Sequence, residues 1–341
     1  MTKYILPFLI AVIISFITTP LVRRLAFKIG AIDIPKDSRR VHKEPMPLIG
    51  GLAIFFAVIL VTLIFLPLTK EIISIIIGAI IIVVGGIIDD IKELRPKDKF
   101  VFQIIAGLVI IIGGVRIDFI TNPFSKDIAL LDLKWLSVPI SLFWIVGITN
   151  TLNWIDGLDG LAAGVAMISS ITLMVVAGKF GYTNIIILSA AIAGACLGFL
   201  PYNFNPAKIF MGDTGALFLG FMLSAITIEG VMKSVATIAI VAPILILSVP
   251  IFDTTFAIFR RLLNGQSIVA ADRGHLHHRL LNRGFSQRQS VLILYGISAI
   301  FGLIAILVSQ ANSKQAVYLS VALLLATVLV AIKLGIFEKR N

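Results

Sequence analysis

The chain is a succession of apolar stretches, each about long enough to cross a bilayer, and that repetition leaves few folds open to it. A spanning helix needs about 20 mostly apolar residues, and inside hydrocarbon it must satisfy its own backbone hydrogen bonds. Eleven stretches approach or meet this length: 4–22, 48–67, 71–88, 100–115, 136–152, 161–178, 184–201, 214–229, 234–259, 290–309 and 315–334. Of the 341 residues, 58% are hydrophobic and only 14% are charged, more apolar surface than a soluble fold of this size can hide. The expectation is an all-α polytopic integral membrane protein with about 11 transmembrane helices, folded as one transmembrane domain over 1–341. The ninth stretch carries Pro243 and Pro250, each of which removes a helical hydrogen bond, so it is expected to be kinked or broken. The apolar run behind Met1 has no small-residue cleavage site before Arg23-Arg24 and reads as a retained first span. The single cysteine, Cys196, lies in an apolar run and reads as a small packing residue.

Lys and Arg set the orientation. The segments 20–47, 89–99, 153–160, 201–213 and 260–289, with the tail from 333, hold 21 of the 29 basic residues. Cytoplasmic loops gather Lys and Arg, so these segments are expected in the cytoplasm, with the N-terminus outside and the C-terminus inside. The same rule accounts for the net charge of +11, and no nucleic-acid partner is needed to explain it.

Four polar islands then fall on that one side. Asp89-Asp90 ends the third stretch. Carboxylates at a helix C-terminus face the wrong end of the macrodipole and need an outside reason, a cation or a proton-transfer role. Asn150, Asn153 and Asp156 recur every three residues, with Asp159 continuing the line, and Gly157 and Gly160 permit a tight turn or close approach to a ligand. A plain polar turn, with Asp159 capping the next helix, is the simpler reading; two amides and two acids in register exceed what it needs. Gly212-Asp213-Thr214-Gly215 opens the eighth stretch. It offers either an N-cap or a carboxylate for Mg²⁺ beside helix N–H groups that can meet phosphate. Phe210, just upstream, can offer a ring face to a base or anchor the chain at the interface. His275, His277 and His278 are three of only four histidines. With Arg273, Arg279 and Arg283 they suit an anion better than zinc, for which the spacing is wrong and no cysteine is near; a basic surface on lipid headgroups is the alternative. The first loop, with Arg39, Arg40, His42 and Lys43 ahead of Pro45 and Pro47, adds basic groups and rigid turns. Together the islands describe a site for a polyanion and a divalent cation at the inner membrane surface.

Asp89-Asp90, Asn150-x-x-Asn153-x-x-Asp156-Gly-Leu-Asp159-Gly, Phe-Met-Gly-Asp213-Thr-Gly and His275-x-His277-His278, in that order, resemble the polyprenyl-phosphate N-acetylhexosamine-1-phosphate transferases, over nearly the whole chain. The His-Leu-His-His form is similar to the UDP-GlcNAc branch, which starts teichoic acid, O-antigen and related glycans. The phospho-MurNAc-pentapeptide translocases, the other branch, typically carry three consecutive histidines. Ala216 departs from the serine of many relatives, so position 216 receives no role.

The resemblance implies transfer of GlcNAc-1-phosphate from UDP-GlcNAc to undecaprenyl phosphate at the bacterial inner membrane. Mg²⁺ is implied, with Mn²⁺ as a substitute, and a homodimer in the lipid bilayer. The implied roles are these. Asp213 is the first metal ligand, with Asp90 or Asp156 as helpers. Asp89 takes the lipid-phosphate proton or orients that phosphate. Asn150, Asn153, Asp156, Asp159 and Phe210 place nucleotide and sugar. His275, His277, His278, Arg279 and Lys43 hold the diphosphate or the leaving UMP.

Two other classes compete. An ion-coupled transporter predicts acids near mid-bilayer and internal repeats, whereas here the acids lie at span ends and no repeat appears. An intramembrane aspartyl protease would leave the histidine loop unexplained.

Overall fold

A computed structural model describes residues 2–34, 45–121, 130–232, 241–265 and 274–309, with position 322. Helices follow the apolar stretches: α1 (Thr2–Ile29), α2 (Gly51–Phe65), α3 (Lys70–Lys92), α4 (Pro96–Ile112), α5 (Ser137–Ile155), α6 (Leu161–Phe180), α7 (Thr183–Asn203) and α8 (Gly212–Thr227). After α8 come α9 (Val241–Ile246), α10 (Ser248–Leu263), the short α11 (Leu276–Asn282) and α12 (Gln287–Val308). Among the described residues, six helices are long and apolar enough to cross a membrane on length and composition. They are α1, α3, α5 with the turn before it, α6, α7 and α12. This is a polytopic membrane architecture. The expected eleventh stretch, 315–334, lies outside the described residues apart from position 322.

The ninth stretch is broken, as its prolines led us to expect: its described residues form two helices, interrupted at Leu247. Pro250 has no N–H to give the Ile246 carbonyl, so the helix cannot run through this point and restarts at Ser248. Two details differ from the expectation. The chain is not purely helical. Two antiparallel ribbons join loop ends: β1 (Ile32–Asp33) with β2 (Met46–Pro47), and β3 (Phe119–Thr121) with β4 (Leu130–Asp132). Finally, α2, α4 and α8, at 15 to 17 residues, are shorter than an untilted crossing requires.

Burial, rather than hydropathy, separates centre from rim. In their most apolar windows α7 is 78% buried and α1 only 28%, although α1 is the more hydropathic. The outer face of α1 presents Ile5, Leu9, Ile13 and Ile17, spaced one helical turn apart, to the surroundings. Its inner face meets Gly194 and Gly198 of α7, where an added Cβ would collide with the Phe8 and Val12 carbonyls. Water cannot drive association inside a bilayer, so close backbone approach at small residues holds these helices together. The same device brings α3 and α2 onto the start of α8. A Cβ at Gly86 would lie 2.5 Å from Thr214 Cα, and one at Gly51 would overlap Gly215. The C-terminal ends of α3 and α5 thus converge with the N-terminal ends of α4, α8 and α12.

Candidate active site

Where these ends meet is a cavity of about 820 Å³. Its lining includes Asp89, Asp90, Lys99, Asn153, Asp156, Asp159, Phe210, Asp213 and His278, so every island contributes to one site.

The two acids at the end of α3 have their outside reasons. Asp90 accepts from Asp213 N at 2.8 Å, Thr214 N at 3.1 Å and Thr214 Oγ1 at 2.6 Å. It therefore caps α8 from another helix, where a negative charge meets free N–H groups and the favourable end of the dipole. These are the N–H groups that the sequence offered to phosphate, so that expectation is corrected: Asp90 already holds them. Gly212 makes the contact feasible, with φ of 70° and a missing Cβ that would sit 2.5 Å from Asp90 Oδ2. Asp89 accepts from Leu94 N at 2.7 Å through Oδ1, and its Oδ2 lies 2.6 Å from Lys99 Nζ.

Lys99 was not singled out from the sequence, where it counted only as a loop charge. Its ammonium also lies 2.6 Å from Asp213 Oδ2, so one lysine bridges acids from two helices. Asp213 Oδ1 accepts from Asn153 Nδ2 at 3.0 Å. Oxygens of Asp89, Asp90 and Asp213 all lie within 4.8 Å of one another. Three hard carboxylate ligands suit Mg²⁺ or Mn²⁺. Asp156 lies outside this cluster, so as a metal helper it is not supported. It lines the cavity just beyond the end of α5. Burial, then the Asp213, Asp90 and Asp159 carboxylates, push its carboxyl up to about 8, so it holds its proton to a higher pH than an ordinary carboxyl.

Asn150 belongs to a different contact. It exchanges two hydrogen bonds with Gln103 of α4, at 2.6 and 3.2 Å, and is not part of the cavity lining. A step of three residues turns a helix by about 300°, so Asn150 and Asn153 diverge by about 60° and reach different neighbours. Asp159 does not cap α6, which starts after Gly160 with φ of 80°. Its Oδ2 instead accepts from Asn205 Nδ2 at 2.9 Å and Ala207 N at 3.1 Å, tying two loops of the cavity wall together. Phe210 lines the cavity, and its backbone clamps the first loop, donating to the Pro47 carbonyl and accepting from Gly50 N.

The histidine loop divides. His278 lines the cavity. His277 is 3% exposed and packs on Gly157, where a Cβ would collide with its Nε2. Burial, then the neighbouring His278, holds its imidazole down to about 4, so it is neutral at pH 7. His275 lies behind the wall, its Nδ1 2.7 Å from Asp253 Oδ2. Arg279 Nε donates to the Gly274 carbonyl at 2.9 Å, closing the turn that starts α11. Neither His275 nor Arg279 is among the residues that line the cavity. Lys43 and Arg273 lie outside the described residues. Asp253, like Lys99, went unnoticed in the sequence, although an acid within an apolar span is a signal of its own.

Residues 72–231 match the family model described as glycosyl transferase family 4. Over its full length the chain is 44% identical to a probable undecaprenyl-phosphate N-acetylglucosaminyl 1-phosphate transferase of Bacillus subtilis, covering 94% of that protein. It is 35% identical to a decaprenyl-phosphate N-acetylglucosaminephosphotransferase of Mycolicibacterium smegmatis, across 84% of this chain and 77% of that one. A phospho-N-acetylmuramoyl-pentapeptide-transferase of Caldicellulosiruptor bescii is 31% identical across 90% of this chain and 96% of its own. With 44% identity to a relative over the whole of this chain and a family model matching its middle, the chain belongs to glycosyl transferase family 4, among the polyprenyl-phosphate N-acetylhexosamine-1-phosphate transferases.

Proposed function

We propose that the protein transfers GlcNAc-1-phosphate from UDP-GlcNAc to undecaprenyl phosphate, the first membrane step of a surface-glycan pathway. A phosphate oxygen of the lipid attacks the β-phosphorus of the nucleotide sugar. The bond from that phosphorus to the bridging oxygen breaks, and UMP leaves with the bridging oxygen. The observation that carries this reading is the meeting of three carboxylates, a lysine, an amide and a histidine in one cavity at the ends of apolar helices. A soluble nucleotide and a membrane-bound phosphate can both reach such a place.

Asp213 and Asp89 would hold Mg²⁺, which supplies charge neutralisation on the phosphoryl oxygens. Asn153 orients Asp213 through its 3.0 Å hydrogen bond. Lys99, placed between the two acids, carries positive charge to the region where the lipid phosphate and the transferred phosphate crowd together. Asp156, which holds its proton to a higher pH than an ordinary carboxyl, can donate a hydrogen bond to an anionic substrate where an ionised acid would repel it. His278 faces the same space and can donate to the leaving UMP. In this reading the enzyme is one domain of about eleven spans in the bacterial cell membrane, with the cavity facing the cytoplasm, and it pairs as a homodimer.

The test is direct. Purified protein with UDP-GlcNAc, undecaprenyl phosphate and Mg²⁺ should release UMP, and Asp213→Asn should reduce the rate by about 100-fold or more. No UMP from any UDP-N-acetylhexosamine would sink the assignment. Faster turnover of UDP-MurNAc-pentapeptide would move it to the other branch.

A further inference from the structure

Asp253 lies on α10, 3% exposed, and both of its oxygens are turned on one short segment. Oδ2 is 2.7 Å from His275 Nδ1, and Oδ1 accepts from Leu276 N at 2.7 Å. A carboxylate inside an apolar bundle is costly, and a residue spent only on packing would not be an acid. Here it makes two short bonds across 22 residues of chain to the start of the histidine loop. Beyond His275 the rings run in a row. His275 stacks on His277 with centroids 5.7 Å apart and 6° between planes, and His277 lies 4.3 Å from His278, the ring that lines the cavity. The same helix supports the loop a second time, since Gly274 packs directly on the Arg260 guanidinium.

We infer that Asp253 is a positioning residue of this site, holding the proton of His275 on Nδ1 and seating the start of α11 so that His278 is delivered into the cavity. A carboxylate can only accept, so a 2.7 Å contact with Nδ1 requires the hydrogen on that nitrogen and leaves Nε2 as the other face of the ring. The inference deepens the proposed transferase reading and rests on it for the kinetic effect.

Asp253→Asn separates the two jobs. The amide oxygen can still accept from Leu276 N, so the seat is kept. The amide nitrogen is a donor and can bond Nδ1 only if the hydrogen leaves it. In ¹⁵N-histidine spectra of the full chain in detergent, with His275 assigned by its loss in His275→Gln, Nδ1 should be protonated in the wild type and unprotonated in Asp253→Asn. In the UMP assay, Asp253→Asn should lower kcat by about 10-fold or more while KM for UDP-GlcNAc stays within about 3-fold, and Asp253→Glu should recover part of the loss. In a His275→Gln background the further cost of Asp253→Asn should fall below about 2-fold, because Asp253 acts through that ring. Additive losses in this cycle would overturn the inference. So would an unprotonated His275 Nδ1 in the wild type, a measurement that needs no folded variant at position 253. The spectra do not depend on the substrate. A wild type that releases no UMP would therefore refute the transferase reading and leave the Asp253–His275 coupling to be decided on its own.

Discussion

A carboxylate at the C-terminal end of a helix is electrostatically misplaced, and α3 ends in two of them. Each is stabilised by a different neighbour, Asp90 by the N–H groups of α8 and Asp89 by Lys99. Their roles therefore separate under mutation. Asp90→Ala leaves the Asp213 and Thr214 N–H groups without their acceptor and should cost about 1–2 kcal/mol, seen as a lower Tm in detergent. Activity should fall with it, because the displaced turn carries Asp213. Asp156 behaves differently because, among the described residues, its charged neighbours are acids. Its folded pKa of about 8 lies above the unfolded value of 3.8, so the folded state binds more protons between these limits. Stability from this group is full below pH 4 and is lost as the pH rises toward 8. Asp156→Asn removes that loss. Its Tm advantage over the wild type should grow from pH 4 to 8 and then level off, while turnover drops. An advantage independent of pH would show that Asp156 is not the protonated group. Of these residues the sequence displayed the acids but not their partners. Lys99 is 114 positions from Asp213, and nothing local marks it. Asp253 is hidden for another reason, since one acid scarcely alters the mean hydropathy of a 26-residue span.

At the scale of elements, the site exists because helices approach at glycine. Gly86 of α3 faces Thr214 of α8 with no room for a methyl group, and this contact sets Asp90 over the start of α8. Gly86→Ala should force the helices apart and cost about 1–3 kcal/mol, with loss of UMP release. Gly147, in the interior of α5, has nothing within 4 Å of where its Cβ would lie. Gly147→Ala should be neutral or stabilising by up to about 1 kcal/mol, through helix propensity alone. Equal losses for both would mean that backbone flexibility, not close packing, is what glycine supplies at Gly86. The apolar stretches were readable in the sequence because hydrocarbon imposes a length on them. The ribbons were not, since two- and three-residue strands carry no period. The departure of Asn150 from the line of Asn153 was legible in principle. A spacing of three drifts around a helix, and only the neighbours, Gln103 on one side and Asp213 on the other, show how far.

At the scale of the whole molecule, the proposed orientation ties chemistry to sidedness. The clustered carboxylates of the cavity, Asp89, Asp90 and Asp213, lie at helix ends that meet on one side, whereas β3, β4 and the turn into α5 lie at the opposite ends of α4 and α5. Lys and Arg crowd the cavity side, so that side is expected to face the cytoplasm, where UDP-sugars are made. The single cysteine makes this measurable, because Cys196 is fully buried and should stay silent to a polar maleimide. Arg95, whose side chain is 84% exposed beside the cavity, and Lys134, exposed at the start of α5, mark the two sides. In intact cells, after outer barriers are opened, a membrane-impermeant maleimide should label Lys134→Cys. It should leave Arg95→Cys unlabelled until the membrane is permeabilised. Each variant lies away from the carboxylate cluster and should keep UMP release, so the labelled protein is the functional one. Labelling of Arg95→Cys from outside would place the carboxylates opposite the nucleotide sugar supply. The transferase reading would then have to give way, since UDP-GlcNAc could not reach the site that the helix ends form.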